Sequence, residues 1–426
     1  MKIKLLLIAF VGFTLLTSDS FAQGHKCATM EILNKRIAND PTIKERMEAQ
    51  EVLTQKWISE HPKQKRGGSQ IITIPVVFHV IWNDPIENIS DNQIYSQLDI
   101  LNEDFRLLNP DSLDDTHPFW PYTADSEIEF CLASVDENGN PTNGITRTQT
   151  SVTTWVDNIQ DDIKSTANGG HDNWDATQYL NIYVVNLDGG TLGFATFPSD
   201  LATDPFMDGV VIRYEAFGTI GTAGSGTFQA NAGGRTASHE VGHWLNLRHI
   251  WGDAICGDDF VSDTETAEDA NYQCPNFPYN DNSTCGSGVD GEMYMNYMDY
   301  VDDDCMNMFT AGQATRMHAA LNGDRSGLLT SNGCGLFSAI TNNFNEKSFE
   351  LYPNPNNGNF TLNFKDSSIK NYAINIFNVL GEKVKTMNIA SINSTEINIG
   401  EFGVGAYYLQ VTAENKTITK KVFVTK

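Results

Sequence analysis

Residues 235–251 read RTASHEVGHWLNLRHIW, and four side chains in that stretch set the terms for the rest of the chain. The pattern from Arg235 to Leu247 is helical. His239 and His243 are four apart on one face of that helix, one turn above the other, so both imidazoles reach a single metal at about 2.0–2.1 Å. Glu240 is displaced around the helix, where its carboxylate addresses a water on the metal rather than the metal itself. His249 supplies the third ligand provided the helix stops first, and Asn246 permits the stop because Asn tolerates the left-handed conformation common at helix C-termini. In this composition H-E-x-x-H arises by chance in roughly one chain in a hundred, and a third histidine at a fixed offset lowers that to a few in ten thousand. The four residues are therefore read as a site. His79, His117, His171 and His318 are read as ordinary core or surface histidines.

Three protein ligands leave one zinc position open, and zinc lowers the pKa of a bound water from 15.7 to about 7. Glu240 would take the proton of that water as it attacks a carbonyl, then deliver it to the leaving amine. The reaction class is amide hydrolysis without a covalent intermediate, on protein or peptide substrates.

Outward from this stretch, strands and helices alternate. IITIPVVFHVIW, Ile71–Trp82, is a β-branched run and reads as a buried strand. A helix is expected over Asp91–Phe105, with strands at Ile128–Ala133, Tyr179–Val185 and Val210–Tyr214. Gly189–Ser199 reads as an exposed edge strand and turn. Between His249 and Thr310 periodicity disappears and four cysteines occur, which suits a stapled functional loop. Thr310–Gln313 is a capping-box pattern opening a closing helix. The fold expected is α/β (α+β), a twisted mixed sheet with an active-site helix.

The ends read differently. Residues 1–22 form a signal peptide, basic and then apolar over Leu5–Leu16, too short to span a ~30 Å membrane core. No stable membrane span is expected. Residues 23–66 read as a propeptide, helical in part after Asp40 and Pro41, ending in the basic stretch 63–68. Residues 67–335 form the catalytic domain, 336–345 a linker, and 346–426 short strands with turn signals, a small all-β sandwich. Residues 67–335 hold 8 Lys and Arg against 40 Asp and Glu, a formal −32, whereas 23–66 hold 9 against 6. So acidic a field excludes nucleic acid and anionic membrane as partners and suits cationic peptides or calcium. Seven cysteines in an exported chain leave one thiol over, and Cys27 is the natural leftover.

H-E-x-x-H-x-x-x-x-x-H with MNYMDY at 295–300 resembles the metzincin clan, and HEVGHWLNLRHIWGD looks like the pappalysin family, in particular its bacterial, ulilysin-like branch. The clan's usual glycine is replaced by Asn246. The resemblance implies that Met298 forms a hydrophobic floor under the zinc and that Tyr300 stabilises the oxyanion or approaches the metal. It implies that Asp304, or its neighbours Asp302 and Asp303, receives a basic residue after the scissile bond, giving cleavage on the amino side of Arg or Lys. It further implies structural calcium near Asp259, Asp263 and Thr264, disulfides Cys256–Cys285 and Cys274–Cys305 with Cys131–Cys334 as a third candidate, and a latency switch in which Cys27 binds the zinc. Tyr352-Pro353-Asn354-Pro355, Gly358-Asn359-Phe360 and Gly405-Ala406-Tyr407-Tyr408 are similar to the C-terminal sorting domain of type IX secretion. That machinery becomes a partner, and the implied destination is beyond the outer membrane of a Gram-negative bacterium.

The competing class is a non-catalytic adhesin stabilised by zinc and calcium. Glu240 discriminates, since a purely structural site has no use for a carboxylate beside its first ligand.

Overall fold

In a computed structural model the chain is described over residues 26–61, 71–156, 162–280, 283–335, 348–365, 371–378, 383–390, 394–413 and 416–425. The expected signal peptide, the basic stretch 63–68 and the linker 336–345 lie outside the described residues. The chain divides into two units, Met1–Leu336 and Phe337–Lys426.

The first unit runs β1 (Lys26–Cys27), α1 (Thr29–Asn39), α2 (Thr42–Glu60), β2 (Ile72–Trp82), α3 (Asp91–Phe105), β3 (Ile128–Leu132), β4 (Ile145–Gln149), β5 (Leu180–Val185), β6 (Thr191–Ala195), β7 (Val210–Arg213), α4 (Arg235–Trp244), β8 (Tyr272–Gln273), β9 (Tyr300–Val301) and α5 (Ala311–Asn322). Its seven-stranded sheet has the order β1-β6-β7-β5-β2-β3, with β4 pairing the far end of β2. All pairings are parallel except β6 with β7. Because side chains alternate across a strand, Val76, Phe78 and Val80 face one layer and His79 and Ile81 the other. The first layer holds Ile94, Leu101 and Phe105 of α3 and Ala237, Val241 and Trp244 of α4. Full burial of each large apolar side chain there contributes roughly 1.5–3 kcal/mol. The second layer places Ala28 and Ile32 of the N-terminal segment against Ile81, Tyr183 and Val211.

Three sequence expectations change. Thr191–Ala195 is buried throughout rather than an exposed edge, because β1 pairs along its outer side and Ala28 N–H donates to the Gly193 carbonyl at 3.0 Å. The active-site helix ends at Trp244, not Leu247. The strand at Ile145–Gln149 was not expected; its side chains are only partly buried, so its apolar pattern is weak.

The stretch after α4 is irregular apart from β8 and β9, which pair with each other. Disulfides join Cys256 to Cys285, Cys274 to Cys305 and Cys131 to Cys334. The opening of α5 is a reciprocal capping box between Thr310 and Gln313.

The second unit is a small β-sandwich of β10 (Phe349–Tyr352), β11 (Asn359–Phe364), β12 (Asn371–Asn378), β13 (Lys383–Ala390), β14 (Ser394–Asn398), β15 (Gly405–Ala413) and β16 (Lys416–Val424). One sheet runs β10-β11-β14 and the other β13-β12-β15-β16. Phe349, Phe360, Leu362, Ile374, Ile376, Leu409 and Val422 fill the space between them. Strand β14 went unexpected because Ile397 is its only large apolar residue.

Candidate metal centre

Helix α4 is buried along its whole length, so both of its ends need protein partners, a distant one at the start and a local turn at the end. Gly234 precedes it at φ +74° and carries no capping side chain. Asp303 does the capping instead, accepting the backbone N–H groups of Gly233 at 2.9 Å and Arg235 at 3.1 Å. At the other end Asn246 has φ +75°, its N–H donates to His243 O, and Leu247 N–H donates to Gly242 O. Those two bonds make a Schellman motif with Asn246 at the left-handed position, and they turn the chain so that His249 comes back under the helix.

The three imidazoles converge. His243 Nε2 lies 3.1 Å from His239 Nε2 and 3.1 Å from His249 Nε2. Each Nδ1 faces an acceptor: the Tyr297 carbonyl at 2.7 Å, the Leu247 carbonyl at 2.9 Å and Asp253 Oδ1 at 2.5 Å for His239, His243 and His249 respectively. Carbonyl and carboxylate oxygens do not donate, so the hydrogen of each ring sits on Nδ1 and its Nε2 lone pair points at the other two. Three lone pairs at this spacing repel unless a cation lies among them. Two nitrogens on a tetrahedral zinc at ~2.0–2.1 Å are ~3.3 Å apart, close to the spacing observed. The donor set fits the ion, and burial together with the neighbouring histidines drives the basicity of His243 well down.

Cys27 Sγ completes the cluster, 3.5 Å from His243 Nε2 and 3.6 Å from Glu240 Oε2. Among the described residues this is the one group of three or more His, Cys, Asp or Glu side chains arranged to hold a metal. Burial first, and then the Glu240 charge, push the Cys27 thiol up.

Glu240 is buried, and burial lifts its carboxyl to about 8 against the opposing hydrogen bonds of Thr29 and Cys27. Oε2 accepts the Thr29 hydroxyl at 2.9 Å, while Oε1 has no hydrogen-bond partner among the described residues. A Cβ at Gly193 would stand 2.9 Å from Glu240 Cγ, so only glycine allows β6 this close to the carboxylate.

The other expected residues fall in several places. Met298 is fully buried below α4, its Sδ 2.5 Å from where a Cβ on Gly242 would lie. The Tyr300 ring stands against His249, with centroids 4.9 Å apart, and its hydroxyl donates to the Cys27 carbonyl at 3.4 Å. The cavity beside Cys27, His239 and Glu240 is walled by Asp299 and Asp303; Asp304 is exposed and is not part of that wall. Asp259 accepts the Thr264 hydroxyl at 2.9 Å and Val261 N–H at 3.0 Å. Asp263, also expected near a calcium, has a carboxylate that accepts Thr310 Oγ1 at 2.9 Å and Gly312 N–H at 2.8 Å, capping α5.

Sequence reading missed several supporting residues. Asp104 of α3 accepts the Ser238 hydroxyl at 2.6 Å and the Tyr297 hydroxyl at 2.7 Å, tying the start of α4 to the methionine-bearing turn. Trp251 stacks on His249 with centroids 4.4 Å apart. Asp253 could have been found, since it lies four residues beyond His249; Asp104 and Thr29 carry no local signal.

Residues 164–322 match the family described as Pregnancy-associated plasma protein-A, and residues 350–425 match the secretion system C-terminal sorting domain. An extracellular metalloprotease of Arthroderma otae is 31% identical over 262 residues, covering 60% of this chain and 80% of that protein. Among solved structures, mature mirolysin of Tannerella forsythia in complex with a cleaved peptide is 46% identical, with a TM-score of 0.58, over 62% of this chain and 97% of that one. A promirolysin mutant from the same organism is 42% identical, with a TM-score of 0.63, over 71% and 96%.

Proposed function

The chain belongs to the pappalysin family of metzincin metalloendopeptidases and carries a type IX sorting domain, and from that premise we propose a zinc endopeptidase held latent by its own residues 23–66. It is a secreted enzyme. The observation that carries the rest is the meeting of three Nε2 atoms beside a carboxylate whose Oε1 has no hydrogen-bond partner among the described residues.

His239, His243 and His249 would hold one zinc, with Tyr297, Leu247 and Asp253 fixing each ring. Zinc bound there supplies Lewis acidity and a water acidified to about pKa 7. Glu240 Oε1 accepts the proton of the attacking water and returns it to the leaving nitrogen. Tyr300, once its hydroxyl is released from the Cys27 carbonyl, donates to the developing negative charge on the substrate carbonyl oxygen. The edge of β6 that β1 now occupies offers backbone N–H and C=O groups to an extended peptide. In the latent form Cys27 would hold the fourth position.

For specificity we propose a basic residue after the scissile bond, met by Asp304. Asp303 is engaged by α4 and Asp299 accepts the backbone N–H and the side-chain Nδ2 of Asn271, each at 2.8 Å, whereas Asp304 is exposed. A structural calcium, where one binds, would use Asp259 and Thr264 rather than Asp263.

The activated protein, its Glu240→Ala form and a chelated sample, each incubated with a denatured protein substrate, test the mechanism. Digestion by the first is expected, with the variant slower by about 10²–10⁴-fold and the chelated sample inactive. Equal digestion by the variant would eliminate the general-base assignment.

A further inference from the structure

Beneath the turn at Asn246, on the side of α4 away from Glu240, two arginines stand together. Arg316 of α5 has no exposed surface; its Nε donates to the Asn246 carbonyl at 2.6 Å. Its two terminal nitrogens donate to Glu51 of α2, at 2.8 Å to Oε1 and 2.5 Å to Oε2. Arg248 lies against the same ring as Arg316, Phe260, with its guanidinium 4.9 Å from the centroid, and its Nε is buried without a hydrogen-bond partner among the described residues. Thr54 and Gln55 of α2 flank Glu51, touching Asn246 Nδ2 and the Phe260 carbonyl. This fork geometry selects a planar two-oxygen anion.

We propose that Arg316, Arg248, Asn246 and Phe260 form a carboxylate-binding site, filled in the latent protein by Glu51 and opened when residues 23–66 leave. The inference rests on the reading of that segment as removable. Departure of α2 uncovers a guanidinium fork that is still anchored through Nε to the Asn246 carbonyl and has lost its carboxylate, so the matured enzyme would take a peptide carboxylate, from a side chain or a chain terminus, in Glu51's place. The site abuts the residue that turns the chain between His243 and His249.

The site can be probed in the full chain before any maturation. In a Glu240→Ala background, which blocks self-digestion, Glu51→Ala empties the fork while leaving both arginines. Acetate should then raise the melting temperature by roughly 2–4 °C, acetamide at equal concentration should not, and the chain that keeps Glu51 should respond to neither. Equal responses to acetate and acetamide would overturn the proposal. On the matured enzyme, a peptide of residues 42–60 should bind at least tenfold more tightly than its Glu51→Gln form; equal binding overturns it as well. N-terminal sequencing of the activated protein separates the two ideas: retention of residues 23–66 would refute their removal, whereas the acetate result judges the site alone.

Discussion

Gly242 lies between the two histidines of α4, and replacing it with alanine sets two effects against each other. In a helix interior Gly→Ala stabilises by about 1 kcal/mol. At this position, however, the new Cβ would stand 2.5 Å from Met298 Sδ, 3.4 Å from its Cε and 3.5 Å from Leu247 Cδ1. Ordinary contact lies near 3.5–4.0 Å, so about 1 Å must be found between the helix and a fully buried methionine. Overpacking of that kind costs about 1–3 kcal/mol, leaving a net destabilisation of ~0–2 kcal/mol. The displacement also reaches the metal site, since the residue before Met298 orients His239 through its carbonyl, and loss of such outer support typically lowers metal affinity by ~10–100-fold. Chemical unfolding of Gly242→Ala in the presence of chelator gives the first quantity and zinc competition gives the second. Met298→Ala alone should cost ~2–5 kcal/mol, and adding Gly242→Ala to it should then stabilise by ~1 kcal/mol because the clash is gone, a coupling of ~1–3 kcal/mol. If Gly242→Ala instead proves ~1 kcal/mol more stable than the parent, with unchanged zinc affinity, helix propensity alone is operating and the packing of Met298 under α4 is refuted.

Burial, reinforced by the neighbouring His171, holds His79 down at about 3, so between pH 3 and 6.5 the unfolded chain binds a proton that the native one does not. Stability from this residue is present above about pH 6.5 and lost on acidification, by roughly 2–3 kcal/mol between pH 6.5 and 4.5; urea unfolding should show a limb shallower by that amount in His79→Gln, and parallel limbs would contradict it. Cys27→Ala should shorten the time the latent protein takes to mature, about tenfold for each 1.4 kcal/mol the thiol contributes, while a time course on gels that matches the parent would remove the thiol from latency. Asp304→Ala should abolish the preference for Arg or Lys after the cut in a peptide-library digest, and a retained preference would send the assignment to another carboxylate.

What the sequence made legible was local. Two histidines four apart need no tertiary information to share a helix face, and Asn246 announces the turn that returns His249 because few other residues accept φ +75° without strain. The central strand was legible for the same reason, its β-branched run needing only burial on both faces. What could not be read depends on residues brought from elsewhere. Asp303 caps α4 from 68 residues away, Asp104 reaches Tyr297 across 193 and Thr29 reaches Glu240 across 211. The misreading of Thr191–Ala195 has the same origin. The strand has the composition of an edge, and it is next to the edge of the sheet; its cover is a two-residue strand that precedes it by more than 160 positions.

These long-range contacts bear on how latency would be maintained. The thiol is only one of the points at which residues 26–60 touch the domain. Arg36 donates to Asp200 at 2.6 Å and Asp204 at 3.2 Å, and Glu51 grips Arg316. The side chains of Arg36, Asp200 and Arg316 are at least nine-tenths buried, so the Arg36–Asp200 and Glu51–Arg316 pairs are not screened surface contacts, whereas Asp204 is partly exposed and adds less. The opposite charges of residues 23–66 and 67–335 act in the same direction at longer range. A cut in the basic stretch 63–68 would break none of these contacts. It would turn an intramolecular association, with an effective concentration in the mM range, into a bimolecular one. On the proposed reading, tether cleavage lets the segment leave by dilution, whereas losing Cys27 weakens it without freeing it. That is why the maturation time, rather than the activity of the finished enzyme, is the quantity a Cys27 substitution should move.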